Sequence, residues 1–189
     1  MSSPAAARGQ EVRVRLLAAA AELIPERGWS AVSTRVLAER AGVSSSVVHY
    51  HYPSIQSVLR EAALGLVTRL VGELDAVLAR ADTAAGAVRE LLAAIRAYSG
   101  TDPASLLAIE TYLAASRDEQ LHAGIAEALA EFRTRLGRWL GEHTVPAPEP
   151  TAAVLAAALD GLVLHRGLDP NLDSTAIDEV LARLVPQDD

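Results

Sequence analysis

The stretch from Ser33 to Tyr52, STRVLAERAGVSSSVVHYHY, constrains this chain more than any other. Ser33 has the chemistry of a helix N-cap, and Thr34–Ala41 predicts a two-turn helix with Val36 and Leu37 facing inward. In Ala41-Gly42-Val43-Ser44, Gly42 supplies a tight corner and Val43 can fill the wedge between helices. Ser44 then caps a second short helix over Ser45–His51. A second helix held out in this way can enter the major groove of double-stranded DNA. Its outward side would carry Ser45, Ser46, His49 and Tyr50, whose hydroxyls and ring donors can reach base edges and phosphates. The first turns of both helices also offer free N–H groups to phosphate oxygens. The competing reading is an ordinary helical corner, because such pairs are common in all-helical proteins.

The rest of the chain reads as helices joined by short turns, so the expected fold is all-α. Residues 1–9 read as a flexible arm carrying Arg8. A first helix from about Gln10 to Arg27 places Val12, Leu16, Ala19, Ala20, Leu23 and Ile24 on one 3.6-residue stripe. Pro25 lies near its end, Gly28 is a left-handed stop, and Trp29 reads as a core plug beneath the next two helices. Pro53 and Ser54 open a long helix to about Ala81. Further helices are expected over about Thr83–Ser99, Pro103–Ser116, Asp118–His143, Pro150–Arg166 and Ser174–Val185, separated by Gly/Pro-bearing breaks. No stretch alternates in the manner of a strand, and alanine and leucine dominate where 50% of residues are hydrophobic and 4% aromatic. A DNA-binding head over 10–52 and a helical body over 53–189 follow.

The formal charge of −7 opposes DNA binding only as an average. Residues 1–60 hold seven arginines against four acids, +3, while the remainder holds ten against twenty, −10. A polyanion would meet the head. All 17 basic residues are arginines; there is no lysine. The absence of cysteine removes disulfides, thiolate metal sites and cysteine nucleophiles, and fits a reducing cytoplasm. No apolar run approaches the roughly 20 residues that span a bilayer, and the N-terminus lacks a signal peptide's apolar stretch. A cytoplasmic protein without cofactors is expected. His49 and His51 make a poor metal pair, since residues two apart on a helix diverge. Tyr52 reads as a core aromatic. With no phosphate loop and no nucleophile–base pair, nothing points to an enzyme.

Residues 12–60 resemble the DNA-binding domain of the TetR family of bacterial repressors. The matching pieces are Glu26-Arg27-Gly28-Trp29, Ser33 through Ser44, His51-Tyr52-Pro53-Ser54 and Val58-Leu59. A weaker likeness covers Ala158-Leu159-Asp160-Gly161-Leu162 and Asp169-Pro170, which resemble the family's late dimerisation helix and its exit. The resemblance implies phosphate contacts from Ser33, Arg35 and Ser54 around the recognition helix. Two departures stand out: Ile55 occupies the position of a usual phosphate-gripping lysine, and His49 that of a frequent tyrosine.

The resemblance also implies a homodimer on a palindromic operator and a pocket for a small-molecule effector. Leu155, Leu159 and Leu162 with Ile177, Leu181 and Leu184 are the expected interface, where Gly161 would permit close helix approach. The alternative is that these residues complete the monomer's own core. Pocket candidates are polar or aromatic groups in apolar runs: Tyr98, Glu110, Tyr112, Trp139 and Asp160. Glu110 could instead pair with Arg96 or Arg117. The leading expectation is a repressor released by its effector. The alternatives are an activator or ligand-independent DNA-binding regulator, and a small-molecule-binding protein or enzyme with a vestigial head.

Overall fold

The computed structural model describes residues 4–169, 172 and 175–186. Among them are nine α-helices, a 3-10 turn after the first of these, and no strand. The helices are α1 (Pro4–Arg27), α2 (Thr34–Ala41), α3 (Ser45–His51), α4 (Ile55–Leu78), α5 (Ala84–Ile95), α6 (Pro103–Ala115), α7 (Glu119–Glu142), α8 (Pro148–Arg166) and α9 (Thr175–Ala182). The 3-10 turn, Trp29–Ala31, links α1 to α2. Pro170 and Ser174, expected at the exit of one helix and the start of the next, lie outside the described residues.

Two compact units divide the chain. One comprises the described residues of Met1–Leu66 together with Leu106–His122; the other comprises those of Val67–Ser105 and Ala123–Asp189. A division at Pro53 was expected, but the first unit takes in the start of α4 and recruits most of α6. That recruitment changes its electrostatics. Glu61, Glu110, Asp118 and Glu119 join it with only Arg117, so the basic excess of residues 1–60 becomes eight arginines against eight acids.

In the first unit the apolar stripe of α1 is buried as its period requires, with Leu16, Ala20 and Ile24 fully covered. The helix begins at Pro4 rather than Gln10. Proline is pre-set for a first helical position, and Ala5–Ala7 carry the helix where an arm was expected. α1 packs on α2 and α2 on α3. Ser33 caps α2 by accepting the Val36 N–H at 3.4 Å. Gly42 ends it in the left-handed region (φ 65°), and the Val43 N–H then closes on the Ala38 carbonyl at 3.0 Å. Trp29 is not the core plug expected. It is half-buried, and its indole N–H donates to Gln56 Oε1 at 2.9 Å.

The second unit has one continuous aliphatic core drawn from α4, α5, α7, α8 and α9, including Leu91, Leu92, Leu136, Leu140, Leu155 and Leu159. Arg166, at the end of α8, is buried and donates to the Ile95 carbonyl at 2.6 Å, which also accepts the Tyr98 N–H at 3.1 Å just past the end of α5. Arg96 pairs with Asp178 of α9, not with Glu110.

Candidate nucleic-acid interface

α3 presents its two sides unequally. Val48 is 1% exposed and Tyr52, the residue that ends the helix, is 4% exposed. Outward, Ser45, Ser46, His49 and Tyr50 are all exposed, and Tyr50 is 84% exposed. An exposed aromatic of that size on a short helix gains nothing from the core, so its ring is available to a partner. His51 is half-buried beneath it, its ring edge-on to Tyr50 at 5.1 Å. The two histidines therefore differ in exposure. Among the described residues no group of three or more potential metal ligands is clustered.

The hydroxyls expected to hold phosphate have other tasks in the free protein. Ser33 is the α2 cap just described. Ser44 stands at the N-cap of α3, but its hydroxyl meets that of Ser46 at 2.8 Å and makes no cap bond. Ser54 and Ser57 form a reciprocal box at the start of α4: Ser57 N–H donates to Ser54 Oγ at 3.2 Å, and Ser54 N–H to Ser57 Oγ at 3.3 Å. Ile55 opens α4 half-buried and offers no side-chain donor.

The arginines divide into two sets. Arg13 grips Glu61 with both oxygens within 2.9 Å, Arg40 binds Glu22 and Glu26, and Arg60 binds Asp118. Hydrogen bonding from Arg40 holds the Glu26 carboxyl below its ordinary range. Arg8, Arg15, Arg27 and Arg35 are exposed and make no ion pair among the described residues. Arg35 is one of these exposed arginines, in the first turn of α2, where the sequence reading expected a phosphate contact.

Tyr52 anchors this arrangement. The Arg13 guanidinium lies 4.6 Å from its ring centroid, and its hydroxyl has no hydrogen-bond partner among the described residues. Burial, with the Glu61 carboxylate adding, pushes that phenol up to about 12.

The five pocket candidates are distributed over both units. Glu110 and Tyr112 belong to the first unit, and Tyr98, Trp139 and Asp160 to the second. Glu110 accepts the Trp29 backbone N–H at 2.8 Å, and Tyr112 is 47% exposed. Tyr98 donates to Glu73 Oε2 at 2.8 Å, Trp139 stacks on His143 at 3.7 Å, and Asp160 is exposed on α8. A cavity of about 10 Å³ lies in the second unit among Val88, Leu91, Leu92, Leu155, Leu159 and Leu181, and none of the five candidates lines it.

The six interface candidates also divide. Leu155 and Leu159 are only 3% and 5% exposed in the monomer's own core, with Leu162 and Leu181 packed against it. Ile177 is half-buried and Leu184 is 40% exposed. Like Leu184, Val154, Leu164 and Leu168 on and just after α8 and Val180 on α9 face outward; Leu164 and Val180 belong to the apolar stripes that the sequence shows on these two helices. With Ala157 and Gly161, Val154, Leu164 and Leu168 give a stripe at 154, 157, 161, 164 and 168, the spacing of a helix seam. α8 is apolar on more than one side, so composition alone could not separate the inner face from the outer.

Comparison with known proteins matches two successive stretches of the chain, the second of which includes Leu106–His122 of the first unit. A family model described as bacterial regulatory proteins of the tetR family matches residues 16–62, and one described as the tetracyclin repressor-like C-terminal domain matches residues 79–187. The chain is similar to an uncharacterized HTH-type transcriptional regulator of Mycobacterium tuberculosis, 25% identical and covering 94% of each chain. A solved transcriptional regulator from Streptomyces coelicolor A3(2) superposes with TM-score 0.78 at 30% identity, covering 94% of this chain and 99% of that one. A regulator from Saccharomonospora viridis, solved in complex with choline, shares the fold with TM-score 0.75 at 18% identity, covering 92% and 94%.

Proposed function

This chain belongs to the TetR family of bacterial transcriptional regulators, and on that premise we propose that it is a homodimeric repressor that leaves a palindromic operator when a small-molecule effector binds. The observation that carries the DNA-binding part is the outward face of α3: Ser45, Ser46, His49 and Tyr50 exposed over a buried Val48. Side chains of this kind read base edges from the major groove, while Arg35, Ser33, Ser54 and the helix N-termini hold the backbone.

Dimerisation is supported by the outer face of α8 and α9. At Gly161, apart from its chain neighbours and its own helix backbone, no atom of the described residues comes within 4 Å of the place a Cβ would take, so a second helix can approach there closely. Two copies double the recognition surface and set the spacing of the half-sites. The effector is the least constrained part. The fold-mate from Saccharomonospora viridis holds choline, and here Tyr98 and Trp139 supply half-buried aromatic groups in the second unit. Release then works by population shift: the effector favours a conformer whose two recognition helices no longer match successive major grooves.

Gel-shift titration with the DNA upstream of the chain's own gene tests this reading. Retardation that salt weakens, with transcription from that promoter rising when the gene is deleted, is the expected result. Absence of any retarded band at low salt would sink it, and transcription that falls on deletion would make the protein an activator.

A further inference from the structure

Glu110 enters the sequence as a candidate effector ligand, yet its carboxylate is occupied by the protein itself. It reaches from α6 to the corner after α1 and accepts the Trp29 N–H at 2.8 Å. Gly28 sits at that corner, within ordinary van der Waals reach of the carboxylate. Gly28 is left-handed (φ 79°), and a Cβ there would stand 3.7 and 3.8 Å from the two Glu110 oxygens. The Gly28 N–H closes α1 on the Ile24 carbonyl at 2.9 Å, which leaves the next amide, that of Trp29, pointing away from the helix for an outside acceptor. Trp29 passes the connection on, since its indole N–H donates to Gln56 Oε1 in the first turn of α4.

The segment that carries Glu110 is held by a second charged tie. Asp118 caps α7 through the Leu121 N–H at 3.0 Å and receives Arg60 of α4 at 2.9 Å. Burial raises this carboxyl, but the Leu121 N–H and Arg60 outweigh it and hold it below the ordinary range. All of these groups lie in the unit that contains α3.

We propose that Glu110 is a positioning residue for DNA binding, acting through Trp29 to fix the α1–α2 corner and, through Gln56, the first turn of α4. The inference deepens the DNA-binding reading and rests on it. Those two elements bracket α2 and α3 in the chain, so their placement sets how the recognition helix is presented. A charged acceptor on a partly buried amide is among the stronger single hydrogen bonds a head of this size can use.

The test uses the full chain and duplexes that the wild type selects from a random DNA pool. Glu110→Ala is expected to lower affinity for a selected duplex about tenfold, and to speed hydrogen exchange in the peptide containing Trp29 by a similar factor. Thermal midpoint should stay close to wild type. Glu110→Gln keeps an acceptor at the same place and should remain within about threefold on both readouts, a rescue that loss of packing alone would not show. Should the alanine variant fail to fold, Gln56→Ala, at an exposed contact, removes the second arm and should cost about threefold in affinity. Faster exchange with unchanged affinity in Glu110→Ala, equal losses in Glu110→Gln and Glu110→Ala, or full affinity in Gln56→Ala would each overturn the proposal. If the wild type selects no duplex at all, the DNA-binding reading fails and takes this inference with it.

Discussion

At the scale of single residues, burial decides what each aromatic can do. Tyr50 is 84% exposed, so Tyr50→Ala should leave the thermal midpoint within a few degrees while lowering DNA affinity by about 1–3 kcal/mol, measurable by anisotropy titration. Tyr52 is the reverse. Its buried hydroxyl has no partner among the described residues, so Tyr52→Phe should be neutral or slightly stabilising at neutral pH. Its phenol titrates at about 12 in the fold, against about 10 for an ordinary tyrosine. A raised acid favours the protonated, folded form, so this contribution is complete below about pH 10 and is lost as pH rises through 12. The alkaline fall in stability should therefore be shallower in Tyr52→Phe, which denaturant titrations at pH 9 and 11.5 would show. Sequence reading placed Tyr50 outward and Tyr52 inward, as the structure has them: Tyr50 lies within α3, and Tyr52 is the residue just past its end. It misjudged Trp29, which is half-buried rather than a core plug, and did not foresee the bond from its backbone N–H to Glu110; side-chain type and spacing carry no record of such a bond.

Among the elements, α2 and its two ends were fully legible. Ser33, the Thr34–Ala41 span and Gly42 all appear where local capping chemistry puts them. Ser33→Ala should cost about 1 kcal/mol by loss of the cap. Gly42→Ala should cost a similar amount, about 1 kcal/mol, from forcing a Cβ into left-handed backbone, since no neighbour lies within 4 Å to add a clash. Thermal denaturation of each checks these values. The first turns of α1 were missed because arm and helix differ there by weak propensities alone. The helices of the second unit were legible in existence and nearly in extent, but their facing was not. Leu155 and Leu159 share α8 with Val154 and Leu164, and a helix apolar around most of its circumference has no single inward stripe to read.

At the scale of the whole molecule, that facing becomes a prediction about assembly. Leu164 is 47% exposed and lies on the outer stripe, whereas Leu159 is 5% exposed in the core. Leu164→Glu should therefore leave a folded chain that runs as a monomer in light scattering, while Leu159→Glu should unfold it, since an unpaired buried charge costs several kcal/mol. Charge also reads differently at this scale. The basic excess of residues 1–60 vanishes once the folded unit is counted with Leu106–His122, so the proposed grip on the DNA backbone rests on local groups such as Arg35, Arg8, Arg15 and helix N-termini and not on a basic domain. Among the described residues no helix is long and apolar enough to cross a membrane.

The central claim is that the outward face of α3 reads DNA. It is tested most directly by titrating the wild type and a Ser46→Ala, His49→Ala, Tyr50→Ala triple variant against a duplex selected by the wild type, in parallel with an unrelated duplex. The account predicts that the wild type prefers its selected duplex by about a thousandfold or more. It predicts that the variant, with an unchanged thermal midpoint, loses most of that preference while keeping salt-dependent binding to both duplexes. A folded variant that retains the wild-type preference would contradict it.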